Sequence, residues 1–208
     1  MLLVVRHGEA VGNAERRFIG QLDTPLSPLG ERQAQWAASR LATLDVERIV
    51  SSDLQRALAT AEPLADLTGV EVEVDPRVRE VSNGDWTNLV PEQIGERWPE
   101  MLEEYRSGID VARPNGERWA DVRARVVPAV RELLDDGRRT ALFTHGGPVL
   151  IVAAWASGVE VQGNVFAGPI AAATNASITT VLPGPRLAAY NDTGHLGESF
   201  DDPSGPMG

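Results

Sequence analysis

Two of the three histidines in this chain close a short apolar run. In LLVVRHGEAVGN, residues 2–13, four aliphatic residues give way to Arg6, His7 and Gly8, with Asn13 a few positions on. In TALFTHGGPVL another apolar run ends at His145, followed by Gly146 and Gly147. A third run, RIVSS, ends in Ser51–Ser52–Asp53 with Arg56 just beyond. Guanidinium forks match phosphate oxygens in bidentate fashion. At about 4 Å and an effective dielectric near 20, each such charge pair is worth roughly 4 kcal/mol before desolvation. The same cations disfavour imidazolium, so His7 stays neutral and nucleophilic near neutrality. Gly8, Gly146 and Gly147 let backbone N–H groups approach an anion, and a helix beginning near Pro148 adds a favourable dipole. A neutral imidazole among these donors is placed to attack phosphorus.

For these tips to meet, strands and helices must alternate. Leu2–Val5 reads as a buried strand, and PLGERQAQWAASRLATL, from Pro28, as an amphipathic helix. RIVSS is a short strand, and LQRALATAEPLADLTG a helix in which Pro63 predicts a kink or a boundary. VEVEV (70–74) alternates like an edge strand. Residues 81–118 are irregular with two short helical stretches, and 119–135 form a strong helix. TALFTH is a buried strand, PVLIVAAWA a helix, and SITTVLP and RLAAYN an antiparallel pair across Pro183–Gly184–Pro185. This order predicts an α/β sandwich of three layers, a mostly parallel central sheet flanked by helices, with ligands at the carboxyl ends of the strands. Residues 1–196 read as one domain and 197–208, rich in Gly, Pro, Asp and Ser, as a flexible tail.

Composition narrows the chemistry. The 208 residues carry a formal charge of −11, which argues against a nucleic-acid partner but not against a small anion held by local arginines. No apolar run approaches the roughly 20 residues of a membrane span, and no secretory leader is read at the amino terminus. Cysteine is absent, which excludes disulfides and thiolate chemistry and points to the cytoplasm. All 19 basic residues are arginine, which excludes Schiff-base and P-loop lysine chemistry. No G-x-S-x-G elbow is present. The three histidines do not have the spacing of metal ligands, so no metal or other cofactor is expected.

Taken in order, the motifs resemble the histidine phosphatase superfamily, also called phosphoglycerate mutase-like. They are RHGE (6–9), then Asn13, Arg17, Phe18 and Gly20, then D.PLS..G..QA from Asp23 to Ala34. SSDL.RA..TA (51–61), RE…GDW (79–86), THGG (144–147), TNASITTV (174–181) and YNDTGHL (190–196) follow. The resemblance implies that His7 forms a phosphohistidine while Arg6, Arg56 and His145 hold the phosphoryl oxygens, with Asn13 as a further donor. It implies that Glu80 is the general acid and base, and that residues 81–118 form a cap over the strand ends. Arginines and histidines would then supply the positive charge that a metal gives other phosphatases. Arg17 reads equally as a substrate contact or as part of a structural ion pair, and His195 as structural. The tryptophans of this stretch read as packing.

Two departures fall in the cap. NGERW (115–119) keeps Gly116 and Glu117 but has Arg118 where the family usually has serine, and Thr87–Asn88 replace the commoner Glu-Gly. Arg106, Arg113 and Arg118 could meet a second anionic group such as a carboxylate. The expected function is a phosphomonoesterase acting on a small phosphorylated metabolite. The alternatives are a cofactor-dependent phosphoglycerate mutase and a silent phospho-ligand binding protein. A homodimer is left open.

Overall fold

The computed structural model describes residues 1–11 and 17–197. Asn13 and residues 198–208 of the expected tail therefore lie outside the described residues. The strands are β1 (Leu2–Arg6), β2 (Arg48–Ser51), β3 (Val72–Val74), β4 (Thr140–Thr144), β5 (Ile178–Leu182) and β6 (Arg186–Asp192). They form one sheet in the order β3-β2-β4-β1-β5-β6. β3, β2, β4 and β1 run parallel, and β5 and β6 close the sheet as an antiparallel pair. The helices are α1 (Pro28–Ala42), α2 (Gln55–Thr68), α3 (Pro91–Arg97), α4 (Pro99–Arg106), α5 (Trp119–Asp135) and α6 (Gly146–Ser157).

The apolar runs are continuous in β1 and β4 because both sheet faces are covered. Leu2 and Val4 pack with Val126, Val130 and Val149 on the α5–α6 side, whereas Leu3 and Val5 pack with Ala38, Leu41, Ala61 and Leu64 on the α1–α2 side. The layers are thus helix, sheet, helix. A third apolar cluster joins Phe18, from the chain before α1, to Trp86, Ile94, Leu102, Tyr105 and Val111.

The sheet register positions the site. Val5 of β1 and Ser51 of β2 both stand opposite Phe143 of β4. The next residues continue the ladder, with His7 N donating to Thr144 O (2.9 Å) and Ser52 N to Phe143 O (2.9 Å). Arg6–His7, Ser52 and His145 therefore emerge at one level along the carboxyl edge.

Three local expectations change. α2 is one helix through Pro63. The missing N–H and ring clash of an internal proline cost about 3 kcal/mol, which burial of Ala57, Ala61 and Leu64 against the sheet outweighs. α6 begins at Gly146 rather than near Pro148, with His145 as its extended N-cap, so both glycines lie in the first turn. α1 ends at Ala42, two residues early. No helix among the described residues is long and apolar enough to cross a membrane.

Candidate active site

His7 follows β1 and is 4% exposed. Its Nδ1 lies 2.6 Å from the Gly8 carbonyl oxygen, which can only accept, so Nδ1 carries the proton and Nε2 the lone pair. Nε2 accepts a hydrogen bond from Arg56 Nε at 3.1 Å. Burial, then the Arg56 and Arg6 charges, hold the imidazole pKa well below the usual 6.5, against the opposing pull of the Gly8 carbonyl. The backbone at this tip is fixed from several sides. Gly8 N donates to Thr60 Oγ1 (3.0 Å), and Asn175 Nδ2 donates to His7 O (3.0 Å). Gly8 also packs against α1 so closely that a Cβ would stand 2.5 Å from the Gly30 carbonyl oxygen.

Arg56 lies in the first turn of α2 and is 2% exposed. Besides His7 it donates to Leu22 O (2.9 Å) and Gly20 O (2.6 Å), which folds the 17–27 loop over it. Desolvation lowers its pKa to about 10, so it remains a cation at neutrality. Arg6 donates to Ala173 O, and its guanidinium carbon lies 3.7 Å from where a Gly146 side chain would begin.

His145 is fully buried, with its ring centroid 5.1 Å from that of His7. Its Nε2 lies 2.9 Å from Ser52 Oγ, and its Nδ1 has no hydrogen-bond partner. Ser52 Oγ already accepts from Leu54 N at 3.3 Å. If the hydroxyl donates to Nε2, one buried group is left unsatisfied, the Nδ1–H. The opposite tautomer leaves two, the hydroxyl hydrogen and the Nδ1 lone pair. The first arrangement is favoured, because each orphan costs about 1–3 kcal/mol. It aims an N–H donor from a group kept neutral by burial and by neighbouring cations.

Glu80 sits in the segment after the 3-10 turn Pro76–Val78. Its carboxylate accepts from Val81 N (2.9 Å) and from Gly147 N (3.1 Å) in the first turn of α6. A Cβ on Gly147 would collide with both Glu80 and the Trp119 ring. The expected Arg6, His7, Arg56, Glu80, His145 and Gly146 thus lie on elements joined by direct contacts at one end of the sheet.

Other expected residues sit elsewhere. Arg17 donates to Asn88 O (2.9 Å), tying the chain before α1 to the segment after Trp86. Arg106 and Arg118 are exposed, and Arg118 N donates to Asp121 at the start of α5. Arg113 is 2% exposed and stacks over Trp86, Tyr105 and Trp119 at 5.2–5.8 Å, while donating to Glu117 O (2.9 Å). The three arginines therefore occupy different environments. His195 bonds Ala176 O (2.9 Å), the residue whose N–H binds the Arg6 and His7 carbonyls. Among the described residues no group of three His, Cys, Asp or Glu could hold a metal ion. Ser52, Gln21, Glu117 and Arg125 surround the site without having been singled out as site residues. Ser52 had a visible signal, the polar tip of β2, whereas Arg125 looks like any other arginine of a solvated helix.

The sequence profile of the histidine phosphatase superfamily (branch 1) matches residues 2–193. The chain is 39% identical over 163 residues to the glucosyl-3-phosphoglycerate phosphatase of Mycobacterium tuberculosis, covering 74% of this chain and 73% of that one. It is 36% identical over 152 residues to the probable phosphoglycerate mutase GpmB of Yersinia enterocolitica, covering 70% and 69%. The structure of mycobacterial glucosyl-3-phosphoglycerate phosphatase with VO3 superposes with a TM-score of 0.80 at 37% identity, covering 92% of this chain and 98% of that one. Bacillus stearothermophilus YhfR superposes with a TM-score of 0.83 at 28% identity, covering 94% and 98%. The chain belongs to the histidine phosphatase superfamily. Its likeness to named phosphatases supports phosphomonoester hydrolysis and leaves the mutase alternative less favoured.

Proposed function

We propose that this chain hydrolyses the phosphomonoester of a small acidic metabolite through a phosphohistidine on His7. The observation that carries the reading is the fixed tautomer of His7. Nδ1–H is tied to Gly8 O, and the Nε2 lone pair faces a guanidinium that an incoming phosphate can claim. Nε2 attacks phosphorus and the P–O bond to the leaving group breaks. Arg6, Arg56 and the His145 Nδ1–H take the phosphoryl oxygens. The positive charge left on the phosphorylated ring is shared through Nδ1–H with the Gly8 carbonyl. Glu80 gives its proton to the departing alkoxide, then removes one from water, which attacks phosphorus and breaks the P–N bond. The net change is ester plus water to alcohol plus phosphate. Asn13 enters as a further oxyanion donor, and Arg17 as a tie between loop and cap.

The names of the similar proteins support a phosphoglycerate ester as the first substrate candidate. We place the protein in the cytoplasm on its lack of cysteine. A panel of phosphoglycerates, glucosyl-3-phosphoglycerate, sugar phosphates and nucleotides tests the reading by phosphate release, with and without chelator. Release from at least one acidic ester, unchanged by chelator, is expected. Interconversion of 2- and 3-phosphoglycerate without phosphate release would favour the mutase, and no turnover of any ester the silent binding protein.

A further inference from the structure

Residues 79–83, which carry Glu80, lie outside helix and strand, so their backbone groups need other partners. Arg125, in the second turn of α5, supplies partners for two of them and for the Arg77 carbonyl just before. Its Nη1 donates to Arg77 O (2.8 Å) and Arg79 O (2.7 Å), and its Nη2 to Glu80 O (2.8 Å). The same guanidinium is held by Glu117 in a bidentate pair, Nε to Oε1 at 2.8 Å and Nη2 to Oε2 at 2.9 Å. Glu117 also accepts from Ser82 N at 2.8 Å, and Gln21 Nε2 adds a second donor on Glu80 O at 2.9 Å. Glu117 is one of the two residues of NGERW, with Gly116, that keep the family pattern.

We propose that Arg125, oriented by Glu117, is a positioning residue for Glu80, holding its peptide so that the carboxyl group stays at the first turn of α6. An isolated ion pair with side chains 19% and 24% exposed contributes little to stability. The value of the pair is geometric. Five directed N–H bonds from one planar fork fix the carbonyls of Arg77, Arg79 and Glu80 and one carboxylate, which a lysine ammonium cannot do. A proton donor displaced by about 1 Å can lose roughly a hundredfold in rate. The inference rests on the reading of Glu80 as proton donor.

The test compares kcat/KM on p-nitrophenyl phosphate, whose leaving group needs little protonation, with that on 3-phosphoglycerate, whose alkoxide needs it. Arg125→Met is expected to lose roughly 10- to 100-fold on 3-phosphoglycerate and less than about threefold on the aryl ester. Added to Glu80→Gln, it is expected to cause no further loss on 3-phosphoglycerate, since the group it places is gone. If Arg125→Met does not fold, Arg125→Lys is read the same way at a temperature where circular dichroism shows it native. Equal losses on both esters, or losses that multiply in the double variant, would overturn the positioning role. If Glu80→Gln alone is not selective between the esters, the proton-donor assignment falls and this inference with it.

Discussion

At the strand tips, His7 and Ser52 hang from backbone bonded to β4 and His145 directly follows β4, and each is at most 4% exposed. In residues 81–118, Trp86, Tyr105 and Arg113 are buried about as deeply, yet edge-to-face rings and a stacked guanidinium between short helices hold them. A ladder fixes register to a fraction of an ångström and a shift by one residue reverses every side chain. Aromatic packing tolerates exchange of one shape for another. The tips are therefore suited to phosphoryl chemistry that needs fixed geometry, and residues 81–118 to a packed layer whose make-up can change.

The largest expected effect is at the tips. His7→Asn keeps a polar side chain but no nucleophile, and turnover of p-nitrophenyl phosphate should fall by roughly 10⁴-fold or more in a phosphate-release assay. Arg56→Lys keeps the charge but loses the fork that reaches His7, Leu22 and Gly20 together. A kcat loss of about 10²- to 10³-fold is expected. Ser52→Ala frees His145 to take either tautomer, and about a tenfold loss in kcat with little change in thermal midpoint is expected. The smallest kinetic effect belongs to the cap. Leu102→Ala, on α4 in the aromatic cluster, should destabilise by about 2–5 kcal/mol in urea unfolding and change kcat on the aryl ester less than about threefold. A kcat loss as large as that of Arg56→Lys would mean that the cap also sets the chemistry.

The tips should also govern stability in mild acid. Burial first, then neighbouring cations, hold His7 and His145 well below the ordinary 6.5. As pH falls below that value the unfolded chain takes up protons that the native state refuses. Stability is then lost, by about 1.4 kcal/mol per pH unit for each histidine, until the native values are reached. Urea midpoints measured between about pH 7 and 5.5 should show this slope, and His145→Asn should make it shallower. An unchanged slope would mean that His145 titrates alike in both states.

The sheet and the reactive tips were legible because both depend on local signals. Continuous apolar runs gave β1 and β4, and a polar residue directly after each run marked the edge. Glu80 had no such signal, since it lies in irregular chain and its place comes from Gly147 and Arg125 far along the sequence. Arg56 was visible as a residue after a strand, but its bond to His7 Nε2 depends on β4 lying between β1 and β2. The fate of Arg113 was hidden because a lone arginine in a loop does not announce an aromatic cage. Pro63 marks no boundary for the opposite reason, a strong local signal outweighed by packing.

The most direct measurement is acid-labile labelling during turnover. With ³²P-labelled ester, rapid base quench and peptide mapping should recover label on the peptide holding His7, stable to alkali and lost in acid, and none from His7→Asn. Label on another residue, or full turnover by His7→Asn, would contradict the account.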